Sequence, residues 1–245
     1  MRPASPRVHR RRLNKPACPV IRWRRSPDVT TLGAVTTPTY EIRAQHTATT
    51  VTVYQAYAPA IGLPAAREGR FPATWKRDRM TWIKPSFLWM MYRCGWGTKN
   101  DQETVLAVEI TREGFEWALE HACLSHYASG IHPDHATWKR QLRETPARVQ
   151  WDPERDLRLN PLPHRSLQLG LTGEAAHRYA DAWTVSITDV TDLAHTVHAH
   201  VRVGELDAAR ALLPEERPYP VPDGFLRHLR PELPVGPAPD RVPST

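Results

Sequence analysis

The sequence predicts an α+β fold in a single domain, with a mixed or antiparallel sheet and flanking helices. Three observations lead to this prediction. Stretches that alternate polar with β-branched or aromatic residues, as strands do, are interspersed irregularly with stretches of helical periodicity. The 245 residues are enough to bury a sizeable core. Because no internal repeat divides the chain, one α+β domain over residues 39–213 is the simplest organisation.

The two ends differ in composition from the middle. Nine Arg and Lys residues precede the first acidic residue, Asp28, and they exceed the net charge of +7, so the rest of the chain is net acidic. Such basic runs are usually solvated, and we expect residues 1–38 to be a disordered basic tail. The alternative is a tail that contacts nucleic acid or another anionic surface. Residues 214–245 are expected to form a proline-rich tail without regular structure.

Two strands and a short helix are predicted at the start of the domain. YEIRAQ (40–45) and TVTVYQAY (50–57) alternate β-branched or aromatic residues with polar ones, which predicts strands. PAIGLPAAREGRF (59–71) predicts a short or irregular helix that stops at Gly69, because an internal glycine and proline weaken a longer one.

The next helix is predicted within TWIKPSFLWMMYRCGW (81–96). Pro85 suits the first turn of a helix, and Gly95 offers its C-terminal stop. VLAVEI (105–110) predicts a nearly continuous apolar strand, and TREGFEWALEHACLSHY (111–127) repeats apolar residues at helical spacing.

The second half alternates strand-like and helix-like stretches. WDPERDLRLNPLPHRSLQLGL (151–171) is interpreted as a proline-interrupted loop that enters a strand. Residues 191–214 predict two short helices that are separated at Gly204.

Positive charge is concentrated in residues 67–99, which carry eight Arg and Lys residues against two acidic ones. On an otherwise acidic domain this pattern is typical of an anion site, and phosphates are the anions we expect. Lys84 and Ser86 flank Pro85 at the predicted helix start, where free N–H groups and the helix dipole favour an anion, and both are predicted to bind the ligand. The ligand-binding cations predicted in this segment are Lys76, Arg79, Lys84, Arg93 and Lys99.

Four tryptophans occur at seven-residue intervals, at positions 75, 82, 89 and 96. On one continuous helix they would share a face, but Pro85 and Gly95 interrupt it. Tryptophans on such an apolar helix are more often core than stacking surface, and we expect its apolar residues to be mainly core. The alternative is a stacking site at Trp82 or Trp89, where Trp89 and Arg93 are spaced for a cation–π contact.

A second group of candidate residues lies in the stretch 151–171. Loops held by a rigid sheet often carry function, although Asn-Pro and Asp-Pro steps are also ordinary turn signals, and both interpretations stay open. The ligand-binding residues predicted here are Asp152, Arg155, Asn160 and Arg165, with Gln168 as a catalytic candidate.

Several familiar kinds of site are not encoded. The histidines of HPDH (132–135) and HTVHAH (195–200) lack the HExxH pattern or cysteine partners of a zinc site, and no metal is predicted. Three cysteines without a CxxC pair exclude a disulfide framework. No nucleophile elbow, phosphate-binding loop or dinucleotide fingerprint occurs. No apolar run reaches the roughly 18 residues that span a bilayer, so we expect a cytoplasmic protein that does not contact a membrane.

Four runs closely resemble a widespread bacterial and fungal family described as a domain of unknown function. They are EIRAQHTATTVTVYQAYAPAIG, RMTWIKPSFLWMMYRCGWGTK, VLAVEITREGFEWALEHACLSH and VQWDPERDLRLNPLPHRSLQLGL. The resemblance covers about residues 40–195, and the run TWIKPSFLWMMYR makes it specific. It implies a shared fold and supplies no activity to transfer.

A second resemblance is to the ADP-ribosyltransferase-like fold. EIRA, VYQAY and AIGLPAAREGRF are similar in order to its basic strand, its tyrosine strand and the helix that follows. This resemblance implies NAD as cofactor, with Arg43 on the pyrophosphate and Tyr54 or Tyr57 against the nicotinamide. Where that family has a late catalytic Glu, SLQLGL offers Gln168, which departs from glutamate-dependent transfer. Another branch of that fold, the RNA 2′-phosphotransferases, has a cluster of basic residues instead, and the many basic residues of this chain are similar to it, which implies a phosphate-rich substrate.

The leading hypothesis is an enzyme that acts on a phosphate or ribose group of a nucleotide or RNA, with NAD as candidate cofactor. Its phosphate ligands are Arg43, Lys76, Arg79, Lys84, Arg93 and Arg165. Tyr54, Gln55 and Gln168 orient the reacting group, and Trp82 or Trp89 stacks a base. One alternative is a non-catalytic module that binds RNA or single strands through the same surface. Another is a protein-interaction domain.

Overall fold

The computed structural model describes residues 39–221 and 224–231, and the predicted basic tail 1–38 lies outside them. The fold is α+β, as the sequence predicts. The strands are β1 Arg43–Ala44, β2 Thr50–Tyr57, β3 Thr81–Ile83, β4 Thr104–Thr111, β5 Ala122–Leu124, β6 Ala147–Arg155, β7 Pro161–Leu171, β8 Thr184–Asp189 and β9 Arg217–Pro218. The helices are α1 Pro59–Glu68, α2 Phe87–Cys94, α3 Arg112–Glu120, α4 His135–Glu144, α5 Glu174–Arg178, α6 Thr191–Val203 and α7 Leu206–Ala211, and a π-helical turn Tyr179–Trp183 continues α5.

Two larger sheets and one short pair form the framework of the described residues. Strands β2, β4 and β8 form an antiparallel sheet in the order β2-β4-β8. The second sheet has the order β3-β7-β6-β5 and is mixed, because β5 runs parallel to β6 while the other pairs are antiparallel. The amide of Tyr54 donates to the carbonyl of Lys84 at 2.7 Å, and the amide of Lys84 donates to the carbonyl of Tyr54 at 3.3 Å. This bridge joins the edge strands of the two sheets next to the cleft described below.

Strand β2 is buried on both faces, because successive side chains of a strand point to opposite sides. Val51 and Val53 belong to the main core, whereas Tyr54 faces a second core that contains the apolar side of α2 together with α6 and α7. The burial of Met90 and Met91 there confirms that α2 is mainly a core helix.

The predicted helix over 111–127 is shorter than the periodicity suggested. Helix α3 ends at Glu120, and the next residues form β5, whose three side chains are all buried beside β6. A short apolar run fits a buried strand and a buried helix equally well, so periodicity alone could not distinguish them.

The stretch 151–171 belongs to a long hairpin, so the predicted strand is confirmed and the predicted loop before it was wrong. Strands β6 and β7 pair from Ala147 opposite Leu171 to Arg155 opposite Pro161. The prolines did not prevent pairing, because Pro153 lies at a register irregularity, where a missing amide donor is tolerated.

The chain keeps regular structure beyond Pro214, in contrast to the expected irregular tail. Strand β9 pairs with β1, and Tyr219 and Leu229 are buried in the main core. The indole N–H of Trp151 donates to the carbonyl of Leu229 at 2.7 Å. These contacts attach the segment after Pro214 to the domain.

No helix in the described ranges is long and apolar enough to cross a membrane.

Candidate functional site

One face of the mixed sheet forms the floor of a cleft of about 660 Å³. Trp82 and Lys84 lie two residues apart at the end of β3, so they share this face, while Ile83 points into the core. Gln168 on β7 and Gln150 on β6 are direct partners in the register and also line the cleft. The floor therefore carries one aromatic ring, one amine and two amides.

The remaining walls come from four other segments. Strand β2 contributes Gln55 and Tyr57, and helix α2 contributes Met90 and Arg93. The loop between α1 and β3 contributes the residues Thr74, Trp75, Lys76, Arg79 and Met80, and the loop before β4 contributes Asp101 and Gln102.

The cleft is strongly cationic. Three exposed cations line it, Lys76, Arg79 and Arg93, and Lys84 on the floor adds a fourth basic group. Among the described residues that line the cleft, the acidic one is Asp101. Concentrated positive charge in a concave site attracts anions and raises their local concentration.

A chain of hydrogen bonds fixes the side chains at the β2 wall. The hydroxyl of buried Tyr179 donates to Gln55 Oε1 at 2.7 Å. Gln55 Nε2 in turn donates to Thr81 Oγ1 at 2.6 Å and to the carbonyl of Trp82 at 3.1 Å. Burial raises the pKa of Tyr179, so its hydroxyl stays a proton donor at neutral pH. Both amide hydrogens of Gln55 are thus used inside the protein.

Tyr57 and Trp75 extend this network to the mouth of the cleft. The indole N–H of Trp75 donates to the Tyr57 hydroxyl at 3.0 Å, and that hydroxyl lies 3.3 Å from Thr81 Oγ1. The Trp75 ring also stacks on Phe71 with centroids 4.8 Å apart. These contacts hold the loop that carries the two cations Lys76 and Arg79.

Lys84 is an unusual member of the site, because only 5% of its surface is exposed. Burial, followed by the nearby charge of Arg93, lowers the pKa of Lys84 to about 7, and the charge of Asp152 partly opposes this shift. The ammonium nitrogen lies 5.1 Å from the centroid of the Trp89 ring, whose face favours the charged form. At neutral pH the neutral amine and the ammonium are therefore both populated.

Asp152 organises the amides of the floor. Its carboxylate accepts from Gln150 Nε2 at 2.9 Å and from Gln168 Nε2 at 2.7 Å. Because each amide donates through nitrogen to Asp152, its oxygen points away from the carboxylate and can accept a hydrogen bond from a ligand, although Gln150 Oε1 also accepts a long bond from Ser125 Oγ at 3.5 Å.

Gly170 makes room for the indole of Trp82. The two residues are partners across β3 and β7, and a Cβ atom on Gly170 would lie 3.0 Å from the Trp82 ring. The ring therefore lies flat against the strand and presents its other face toward the cleft.

Eight of the residues predicted from the sequence line this cleft together. They are Gln55, Tyr57, Lys76, Arg79, Trp82, Lys84, Arg93 and Gln168. Asp152 holds two of the lining amides rather than lining the cleft itself.

Tyr54 does not join Gln55 in the cleft, because neighbours along a strand face opposite sides. It is 1% exposed and packs edge-to-face on Phe87 in the second core. Trp89 is also buried, at 6% exposure, and contributes its ring face to Lys84 rather than to a stacking surface.

The N-terminus of α2 does not offer the anion site that its sequence suggested. Ser86 caps the helix by accepting from the amide of Trp89 at 3.1 Å, and its hydroxyl donates to Glu154 Oε1 at 2.9 Å. Glu216 Oε1 accepts from the amide of Phe87 at 2.6 Å. Carboxyl groups of the protein therefore occupy the position predicted for a phosphate.

Arg43 and Arg165 lie outside the cleft. Arg43 pairs with Glu41 at 3.0 Å and donates to the carbonyl of Glu216 at 3.0 Å. Arg165 donates to the carbonyl of Trp151 at 3.1 Å. Both guanidinium groups hold the chain together instead of lining the site.

Three further predicted ligands also have structural contacts elsewhere. Lys99 donates to the carbonyl of Arg93 at 2.7 Å, at the C-terminal end of α2. The Arg155 guanidinium lies 3.6 Å from the centroid of the Tyr92 ring. Asn160 belongs to the hairpin turn and donates to Asp156 at 3.1 Å.

The cleft residues that were not predicted as site residues include Trp75, Asp101, Gln102 and Gln150. Gln150 could have been found from the alternation in ARVQW, where Val149 and Trp151 are buried and Gln150 is not. Trp75 was noticed only as a member of the tryptophan series. No sequence pattern identifies Asp101 or Gln102 as site residues. Their loop lies beside the cleft only because of the tertiary structure.

Comparison with known families gives one result. A family model described as "Domain of unknown function (DUF4291)" matches residues 41–219, which is more than half of the chain. No curated protein matches the chain. Neither result supports the resemblance to the ADP-ribosyltransferase-like fold.

Proposed function

The chain belongs to this family of unknown function, and we propose that it is a nucleotide-binding enzyme that acts on a phosphate or ribose group of its ligand. The observation that carries the proposal is the convergence of three exposed cations, a buried lysine, an indole and two amides on one cleft. Its volume of about 660 Å³ lies within the range of sites that bind small ligands.

Each kind of residue has a part in this proposal. The phosphates bind to Lys76, Arg79 and Arg93, because guanidinium and ammonium groups form strong charge-assisted hydrogen bonds with phosphate oxygens. Trp82 stacks the base with its free ring face. The carbonyl oxygens of Gln150 and Gln168 accept from ribose hydroxyls.

Electrostatic stabilisation would be the main catalytic contribution. Fixed cations beside a phosphoryl group stabilise the charge that develops on its oxygens, and they do so without reorganisation of solvent. Lys84 adds a group that can give or take a proton near neutral pH. NAD, as a dinucleotide with two phosphates and two riboses, is one of the candidate ligands.

Thermal unfolding with a set of ligands tests the proposal. The set is AMP, ADP, NAD, adenosine, inorganic phosphate and a single-stranded oligonucleotide. A ligand at ten times its Kd stabilises the folded state by about 1.4 kcal/mol. For a domain of this size that raises Tm by about 3–6 °C. We expect this shift with at least one phosphorylated nucleotide and a smaller one with adenosine.

The variants Arg79→Gln and Arg93→Gln should lose most of the shift, whereas Lys139→Gln on α4, outside the cleft, should keep it. A shift with the oligonucleotide alone, falling steeply with salt, would favour the RNA-binding alternative. No shift with any ligand at millimolar concentration would refute the proposal.

A further inference from the structure

Lys84 differs from the other cations of the cleft in what surrounds its nitrogen. Lys76, Arg79 and Arg93 are exposed, whereas Lys84 is 5% exposed. No carboxylate in the described ranges forms an ion pair with it. Burying an ammonium group without an ion pair lowers the free energy of unfolding, so we expect such a lysine to have a functional role.

Phosphate binding alone does not account for this arrangement. Three exposed cations already line the same cleft, and permanently charged groups hold a phosphate at lower desolvation cost than a buried lysine. A desolvated lysine next to another cation is instead the usual arrangement of an amine nucleophile, because both effects populate the neutral form.

The groups that face the Lys84 amine favour a neutral fraction at physiological pH. Burial and the charge of Arg93 on α2 disfavour the ammonium, and Asp152 on β6 and Cys94 on α2 favour it. The ring of Trp89 also favours the ammonium. The balance brings the pKa to about 7, so a nucleophilic neutral amine is populated at that pH.

The stem of Lys84 is also held firmly. Its backbone amide and carbonyl are both bonded to Tyr54, and Pro85 follows it. A side chain that leaves a fixed backbone and crosses an indole ring loses little further freedom when it reacts. The amine is thus directed to the same cleft in which the three exposed cations can hold a phosphate.

We propose that Lys84 is a nucleophile that forms an imine with the carbonyl carbon of a phosphorylated sugar, such as the open-chain end of a ribose phosphate. This inference rests on the proposed function, because that function supplies the phosphate subsite. The neutral amine adds to the aldehyde carbon and gives a carbinolamine. The carbinolamine oxygen then leaves as water with the two hydrogens of the amine, and a carbon–nitrogen double bond remains. The step needs no oxidant or reductant.

Reductive trapping identifies the nucleophile directly. Ribose 5-phosphate is incubated with the full chain at pH 7 in the presence of cyanoborohydride, which reduces the imine to a stable secondary amine. Peptide mass mapping then reports the modified lysine. The chain has five lysines, at positions 15, 76, 84, 99 and 139, so labelling at each can be compared within one sample.

We expect Lys84 to be labelled at least tenfold faster than Lys99 or Lys139. Labelling should depend on the phosphate, so unphosphorylated ribose should label it poorly, and ribitol 5-phosphate, which has no carbonyl, should protect it. The rate should rise with pH and level off above about pH 7, the pKa of Lys84. Lys84→Arg should abolish the fast labelling, and Lys139→Arg should leave it unchanged.

Even labelling of all lysines, or fast labelling that does not require the phosphate, would overturn the inference. Because the map of the wild-type chain already compares the five sites, the result does not depend on the folding of a variant. If nucleotides shift Tm but Lys84 is not labelled selectively, the inference fails and the proposed function stands. If Lys84 is labelled selectively while no nucleotide binds, the proposed function fails instead.

Discussion

Replacing Lys84 with methionine should make the protein more stable at acidic and neutral pH, although it removes a residue of the cleft. Methionine has a similar unbranched shape, can keep the contact with the Trp89 ring and carries no charge to desolvate. The difference in the free energy of unfolding between the two proteins therefore measures the cost of burying the Lys84 amine.

The magnitude follows from the pKa, which falls from 10.5 to about 7 on folding. Each pKa unit corresponds to about 1.4 kcal/mol, so the cost is at most about 5 kcal/mol. Loss of the cation–π contact offsets about 0.5–2 kcal/mol of the gain. Between pH 7 and 10.5 the unfolded chain binds more protons than the folded one, so the cost is full below about pH 7 and disappears as pH rises toward 10.5. We expect Lys84→Met to gain about 2–4 kcal/mol at pH 6 and little at pH 10.

Urea unfolding at pH values from 6 to 10, followed by tryptophan fluorescence, measures this difference. Contributions from other titrating groups cancel when the two proteins are compared at the same pH. A variant that is less stable at pH 6, or a difference that does not change with pH, would refute the account of Lys84.

Three further predictions concern other parts of the molecule. Burial, followed by the charge of Glu154, raises the pKa of Glu216 to about 8 from 4.5, so stability should fall as pH rises from 4.5 to 8. Because Glu216 is partly exposed, Glu216→Gln should be more stable than the wild type by about 2–3 kcal/mol at pH 9 and equal to it below pH 4.5, in the same urea assay. A Cβ on Gly114 would collide with the Trp183 ring, so Gly114→Ala should cost about 1–3 kcal/mol, whereas Gly130→Ala, with open space around it, should change Tm little. Tyr179→Phe leaves a buried oxygen of Gln55 without its donor and should cost about 1–3 kcal/mol, and equal Tm values of variant and wild type would contradict the network.

The floor of the cleft could be predicted from the sequence only in part. The spacing of Trp82 and Lys84 already places both on one face if the segment is extended, and the strand alternation of β2 already separates Tyr54 from Gln55. Pro85 marks a helix start, and residues that are neighbours along the chain then look like neighbours in space, which hides both points. The alternation of side chains within each strand therefore predicts the composition of the cleft better than proximity along the chain does.

The long-range contacts could not be predicted from the sequence. Glu216 caps α2 from 129 residues away, and this contact excludes an anion from a helix start that looked free locally. Asp101 and Gln102 reach the cleft in a similar way, through tertiary structure alone. The sequence of a helix start therefore predicts where an anion would bind favourably. The tertiary structure determines whether a ligand or a side chain of the protein occupies that position.

Calorimetric titration of ADP and adenosine into the wild type and the Arg79→Gln/Arg93→Gln double variant tests the central claim most directly, because it asks whether the cations of the cleft hold phosphate. Our account predicts that ADP binds the wild type and that the double variant binds it at least tenfold more weakly, since two charge-assisted contacts are lost. Adenosine, which has no phosphate, should bind both proteins with the same low affinity. Equal affinity of the two proteins for ADP, or no binding of ADP to the wild type, would contradict the claim.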